Sequence, residues 1–304
     1  MIQIENLSKI YRTGFMMTPK VALRQINLQV NDGEIYGFIG PNGAGKSTTI
    51  KVLTGLLRVG SGSVKVMGYT PQDSRSREQL GYLPEHPFFY EYLTGYELLK
   101  FYGSLSGLRG KLLAERIAWA TELLHANHDW IHRRLRTYSK GMMQRMGLAQ
   151  AILAKPKLLI LDEPMSGLDP MGRRDVREAI QSLNREGTTI FYSSHVLSDV
   201  ESISHRVAMI VDGKIVRSGT IAEVTQSENL EYRVRIGTPF AQELALMGVH
   251  AIHPQEFVCN SPQARDLLLT VALQQQVGVE AVEAVRPSLE DVLAQEIAKE
   301  GAHG

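Results

Sequence analysis

The stretch Gly40-Pro41-Asn42-Gly43-Ala44-Gly45-Lys46-Ser47-Thr48 joins a glycine-rich turn to an ammonium and two hydroxyls. Its spacing is G-x-x-x-x-G-K-[ST]. In that pattern the backbone N–H groups turn inward around an anion, the lysine reaches the β- and γ-phosphates of a nucleotide, and the hydroxyl after it holds Mg²⁺. Two carboxylates, Asp162 and Glu163, follow the apolar run Leu158-Leu159-Ile160-Leu161. A buried strand ending there puts both at the carboxyl edge of a sheet, where open α/β sheets place ligands. Asp162 can then hold the Mg²⁺ that bridges the phosphates. Glu163 can orient or deprotonate a water for in-line attack on the γ-phosphate. Two further stretches say less by themselves. Tyr138-Ser139-Lys140-Gly141-Met142 reads as the capped start of a helix, and the histidine of Ser193-Ser194-His195 as an ordinary surface or core residue.

These groups need a scaffold, and the hydrophobic pattern supplies one. A strand over residues 35–39 and a helix over 48–57 flank the glycine-rich turn. Before them, Ile2, Ile4 and then Ile26, Leu28, Val30 alternate as strands do, with residues 12–20 as a hairpin tip or loop. Gly60-Ser61-Gly62-Ser63 reads as a turn before short strands at 64–66 and 80–83. From about 94 to 154 the spacing is helical throughout. Strand 158–161, helix 171–185, strand 188–192 and helix 197–203 return to α/β order, and Asp212-Gly213 marks a hairpin between 207–211 and 214–217. After residue 226 the order is strand 232–236, helix 239–247, strands 249–252 and 257–259, helix 263–275 and strand 277–285, a ferredoxin-like βαββαβ series. A last helix covers 288–299, with Ser288 as its cap.

Composition bounds the function. The chain has 304 residues and a hydrophobic fraction of 43%, enough for one large domain or two with real cores. Thirty-three basic residues against 32 acidic ones give a net charge of +1, which offers no electrostatic case for a nucleic-acid partner. One cysteine, Cys259, excludes an internal disulfide framework and suits a reducing compartment. Polar Glu5, Asn6 and Lys9 near the start argue against a signal peptide. The apolar runs are far shorter than the roughly 20 residues that span a bilayer.

Taken in order, the phosphate loop, the helical insert, the Tyr-Ser-Lys-Gly-Met pentad, Leu-Leu-Ile-Leu-Asp-Glu-Pro, Ser166-Gly167-Leu168-Asp169-Pro170 and Ser-Ser-His resemble the ATP-binding subunit of ABC transporters. The resemblance covers about residues 1–222. It implies an α/β fold of the P-loop NTPase cassette type, with a mixed-sheet core and a helical subdomain at about 94–154. Residues 227–304 would form a small α+β accessory domain. ATP and Mg²⁺ are the implied cofactors. Tyr11 would stack on adenine, Gly40 to Thr48 would cradle the phosphates, and Ser47, Asp162 and Glu85 would face Mg²⁺. Glu163, His195 and Lys46 would be catalytic. The pentad 138–142 would act on the nucleotide of a second copy or a similar subunit, with Asp169 linking the two sites.

Lys140 and Met142 replace the glycine and glutamine of the commonest signature, Leu-Ser-Gly-Gly-Gln. That variant resembles the branch serving exporters of drugs, lipids or polysaccharides, as does Pro287-Ser288-Leu289-Glu290-Asp291-Val292. Glu85 stands where many members have glutamine. The implied partners are separate membrane permease subunits, which would hold the protein on the cytoplasmic face of the membrane; the aromatic stretch from Phe88 to Tyr96 either fills the core or, with the helical insert, would grip a cytoplasmic helix of the permease. An importer ATPase shares the same motifs, and a soluble ABC-type ATPase remains an alternative. A GTPase switch is disfavoured because no Asn-Lys-x-Asp is present.

Overall fold

The computed structural model describes residues 1–13, 18–126, 128–226, 231–237, 248–285 and 287–301. By packing, the chain divides into two units, Met1–Ile221 together with the chain from Leu293 onward, and Ala222–Val292.

In the first unit, β1 (Ile2–Thr13) pairs antiparallel with β2 (Thr18–Val30) as a hairpin, with Arg12, Thr13 and residues 18–20 paired strand rather than loop. Residues 14–17 of the expected loop lie outside the described ones. Then come β3 (Ile35–Ile39), α1 (Lys46–Leu53) and β4 (Ser61–Val66). The helix α1 begins two residues earlier than the pattern predicts and ends four earlier, because Lys46 and Ser47 already lie in its first turn. The expected turn at residues 60–63 is also corrected. Ser61, Gly62 and Ser63 belong to β4, which pairs with β1 across a register shift between Glu5 and Ser8. Gly62 sits at φ +86°, where a side chain would meet the carbonyls of Glu5 and Asn6, so the glycine makes a bulge and not a turn.

Next are β5 (Leu80–Leu83), α2 (Gly95–Leu105), α3 (Gly110–Leu123), the short α4 (His128–Ile131) and α5 (Lys140–Ile152). Thr94 and Glu97 form a reciprocal capping box at the start of α2. The chain returns to the sheet with β6 (Leu158–Leu161), α6 (Pro170–Arg185), β7 (Thr189–Ser194), α7 (Leu197–Ile203), β8 (Arg206–Val211) and β9 (Lys214–Thr220), before α8 (Ile221–Val224). The six-stranded sheet has the order β5-β6-β7-β3-β8-β9, parallel except for β9. Its central strands are buried from end to end, as a parallel sheet covered on both faces requires. The antiparallel sheet β2-β1-β4 shares a core with it, in which Phe191 stacks at 6.0 Å on Tyr36 and lies 5.4 Å from Phe38.

The order of the sheet decides where the chemistry goes. Strands β5, β6, β7 and β3 are neighbours and parallel, so the chain leaves all four at one edge. The paired residues Leu83, Leu161 and Tyr192, and then Ile39 with Ser194, mark that level. Glu85, Asp162 with Glu163, His195 and the phosphate loop follow directly. Among the described residues no helix is long and apolar enough to cross a membrane.

The second unit contains β10 (Glu231–Ile236), β11 (Val249–His253), β12 (Glu256–Cys259), α9 (Pro262–Gln274) and β13 (Val279–Val285). Its all-antiparallel sheet has the order β11-β12-β10-β13, the ferredoxin-like arrangement. The helix expected over 239–247 lies outside the described residues. Tyr232, Val234, Ile236, Phe257, Cys259 and Leu268 form its core, where burial pushes the Cys259 thiol up to about 11. The last helix, α10 (Leu289–Gly301), passes out of this unit at Val292, although the expectation assigned the whole of 227–304 to it. Glu296 and Glu300 of α10 bond Arg217 and Lys214 of β9 within the first unit.

Because Phe191 is fully buried between two rings beneath the site, Phe191→Ala should lower stability by about 3–5 kcal/mol, read from the midpoint of denaturant unfolding.

Candidate nucleotide site

Gly40 follows β3 and lies so close to β8 that a methyl group there would overlap the carbonyl of Ile210. The turn that follows opens at Gly43 and Gly45, both at positive φ, and delivers the chain into α1 with its first N–H groups free to face an anion. Lys46 is the first residue of that helix. Its ammonium donates to the carbonyls of Gly40 at 2.6 Å and Pro41 at 3.3 Å, and lies 3.6 Å from Glu163 Oε1.

Asp162 and Glu163 stand side by side after β6, and both are buried. Asp162 Oδ1 accepts from Ser47 Oγ at 3.3 Å and from Ser193 Oγ at 2.7 Å. Burial raises the Asp162 carboxyl above its ordinary pKa. The two hydroxyl donors oppose that shift, and the charges of Glu85 and Glu163 add to it. Glu163 has φ 52°, a left-handed conformation that costs a residue with a Cβ about 1–2 kcal/mol. Its backbone is held on both sides. Its N–H donates to Ser193 Oγ at 2.9 Å, and its carbonyl accepts from Ser166 N–H at 3.0 Å and from Gln144 Nε2 at 3.3 Å. The carboxylate is fixed by His195, whose Nδ1 lies 2.7 Å from Oε2 and whose backbone N–H donates to the same oxygen at 3.3 Å. A carboxylate only accepts, so Nδ1 carries the proton.

One cleft of about 560 Å³ is lined by Tyr11, Lys20, Val21, Ala22, the phosphate loop, Glu85, Glu163 and His195. Tyr11 reaches Thr48 Oγ1 at 3.5 Å. The structure thus gathers Tyr11, the loop, Glu85, Glu163 and His195 from five separate parts of the sequence. The pentad does not line this cleft. Ser139 caps α5 by accepting from the N–H of Met142 at 3.2 Å, while the Tyr138 hydroxyl donates to Trp130 O at 2.7 Å and is pushed by burial up to about 12. Asp169 caps α6, accepting from Gly172 N–H at 2.9 Å. Ser193 and Gln144 were not singled out from sequence. Ser193 sits in the Ser-Ser-His run, which hinted at it; Gln144 had no signal, because its partner is 19 positions away.

Among the described residues no three His, Cys, Asp or Glu side chains converge as a metal cage. The Ser47 hydroxyl and the Asp162 carboxylate nevertheless form a hard oxygen pair beside the phosphate loop. Mg²⁺ suits such a site, because it is held by one or two protein oxygens with phosphates and water.

Residues 23–166 match the family described as "ABC transporter". An uncharacterized ABC transporter ATP-binding protein of Synechocystis sp. is 37% identical over 99% of this chain and 85% of its own length. The chain belongs to the ATP-binding subunits of ABC transporters. The lantibiotic transport ATP-binding protein SrtF of Streptococcus pyogenes is 38% identical over 76% of this chain and 94% of its length. The ATP-binding cassette MJ0796, solved as a dimer in a post-hydrolysis state bound to ADP and Pi, superposes with a TM-score of 0.67, covering 72% of this chain and 98% of that one at 21% identity. The α/β cassette with its parallel sheet and helical segment is therefore the ABC ATPase fold, and ATP is the nucleotide the family binds.

Ser193 bonds both carboxylate residues of this ABC cassette. Ser193→Ala leaves the buried Glu163 N–H without its acceptor, and should cost about 1–3 kcal/mol of stability in denaturant titration.

Proposed function

We propose that this chain is the ATP-hydrolysing subunit of an ABC exporter, with residues 1–222 as the cassette, its helical subdomain at about 94–154, and residues 227–292 as an accessory domain. The observation that carries the reading is the meeting of Lys46, Ser47, Asp162, Glu163 and His195 at one sheet edge beside a cleft of nucleotide size. The phosphates of ATP seat on the backbone N–H groups of residues 42–48, and Tyr11 covers the adenine. Lys46 exchanges its carbonyl partners for phosphate oxygens. Ser47 and Asp162 would hold Mg²⁺, with Glu85 offering a further oxygen from the rim, and the ion would supply charge compensation for the phosphates. Glu163 takes a proton from the attacking water. The water oxygen bonds the γ-phosphorus as the bond to the ADP oxygen breaks, and His195 keeps the carboxylate aimed.

A second copy or a similar subunit completes the site. Tyr138, Ser139, Lys140, Gly141 and Met142 lie away from their own cleft, and the exposed start of α5 presents N–H groups suited to a partner's γ-phosphate. Asp169 stands at the head of α6 to link the two sites. The name of the Streptococcus pyogenes relative, a lantibiotic transport protein, supports transport of a cargo, and the Tyr-Ser-Lys-Gly-Met pentad supports export. Transport needs permease subunits, which would bring the cassette to the cytoplasmic face of the membrane.

Phe88, Tyr90 and Tyr92 offer a surface for that partner. Phe88 is 87% exposed and Tyr92 66%, and Tyr90 and Tyr92 lie 5.7 Å apart, whereas Phe89 is buried against Tyr102. Exposed aromatics grouped in this way mark interfaces.

Purified Glu163→Gln should bind ATP, lose kcat by about 100-fold or more, and pass from monomer to dimer on adding Mg-ATP in size exclusion with light scattering. Failure to bind ATP would sink the reading of residues 40–48. A Phe88→Ser, Tyr92→Ser double variant should keep ATP binding but release the permease in co-purification.

A further inference from the structure

The signature helix reaches the hydrolytic end of its own chain as well as pointing outward. Gln144 lies on α5 and is 2% exposed, and its Nε2 donates to the backbone carbonyl of Glu163. That carbonyl already accepts from Ser166 N–H, so the amide is not there to satisfy it. The rest of the buried face of α5 is mostly apolar, with Met146, Leu148, Ala149 and Ile152. A hydrocarbon side chain would fill the Gln144 position without the desolvation that an amide suffers. What the amide adds is direction, because it fixes the peptide plane of a residue held in the left-handed region, from which the carboxylate departs toward Lys46 and His195. Two further contacts hold α5 against the chain that follows Glu163, one to α6 and one to the turn before it. Arg145 pairs with Asp175 at 3.0 Å, and the Lys140 side chain lies directly over Gly167.

We propose that Gln144 is a positioning residue for ATP hydrolysis, setting the aim of Glu163 through its backbone. The proposal rests on the reading of Glu163 as the base. It also gives α5 two ends of consequence, with Ser139 and Gly141 at its start for the partner's nucleotide and Gln144 one turn further in for this chain's own.

The test uses the full chain as wild type, Gln144→Met, Gln144→Asn, Glu163→Gln and the Gln144→Met, Glu163→Gln double variant. Steady-state ATPase assays give kcat and KM, and titration with trinitrophenyl-ATP gives nucleotide Kd. Gln144→Met, similar in length but without a donor, should lower kcat about 10- to 100-fold, as small misplacements of a reacting group do, with Kd and KM within about twofold of wild type. Gln144→Asn, one methylene short but still a donor, should fall less. The double variant should hydrolyse no more slowly than Glu163→Gln alone, since both changes act through one group. If Gln144→Met does not fold, the Asn variant carries the same comparison of kcat with Kd. A kcat within twofold of wild type, or a loss matched by an equal loss of nucleotide affinity, would make Gln144 core packing and overturn the proposal. Wild-type turnover by Glu163→Gln would instead overturn the reading of Glu163, and the proposal with it.

Discussion

A buried carboxylate needs partners, and the arrangement of this cassette follows from supplying them to Glu163. Its side chain is 8% exposed, in surroundings where an unpaired charge would be strongly destabilising. The partners come from the ends of two neighbouring strands. Lys46 arrives from the loop after β3, His195 from the end of β7, and the N–H of Glu163 itself is held by Ser193 within β7. The parallel neighbours β6, β7 and β3 bring those ends to one edge of the sheet. The polar site thus depends on the topology as the hydrophobic core does.

The same packing explains why Lys46 can be both a structural and a functional group. Its ammonium is nearly enclosed, with two carbonyls and one carboxylate as partners. Those bonds keep the charge satisfied inside the loop. Replacing two neutral oxygens by charged phosphate oxygens is favourable for a desolvated ammonium. The loop is in this sense preorganised, and ATP need not induce it.

Much of this was legible in the sequence, for a physical reason. Glycine spacing encodes backbone conformation, and a run such as Leu158 to Leu161 encodes burial on both faces, so the phosphate loop and the Asp162-Glu163 pair announce themselves locally. The ferredoxin-like order of β10 to β13 was also readable, because each strand alternates or is bounded by turn residues. What could not be read was contact between distant positions. The bonds from His195 and Ser193 to Glu163 span 32 and 30 residues, and nothing in the spacing of Ser193-Ser194-His195 predicts them. Gly62 misled for the opposite reason: glycine is permissive, and the same residue that permits a turn also permits a bulge inside a paired strand.

Glu85 shows how burial decides what a charge does. In the middle of the site a third carboxylate beside Asp162 and Glu163 would raise their electrostatic energy steeply, since the attraction of Lys46 alone cannot offset three charges at low dielectric. Glu85 lines the cleft, yet its side chain is 45% exposed, with His86 3.8 Å away. Water therefore screens most of its repulsion, which reaches Asp162 only as a secondary push beneath the effect of burial. Its oxygens still face the cleft. A glutamine there would offer one carbonyl oxygen and a donor; the glutamate offers two acceptors that bind a divalent cation better and a phosphate worse. In the proposed site, the glutamate would thus favour the metal over the nucleotide at the rim.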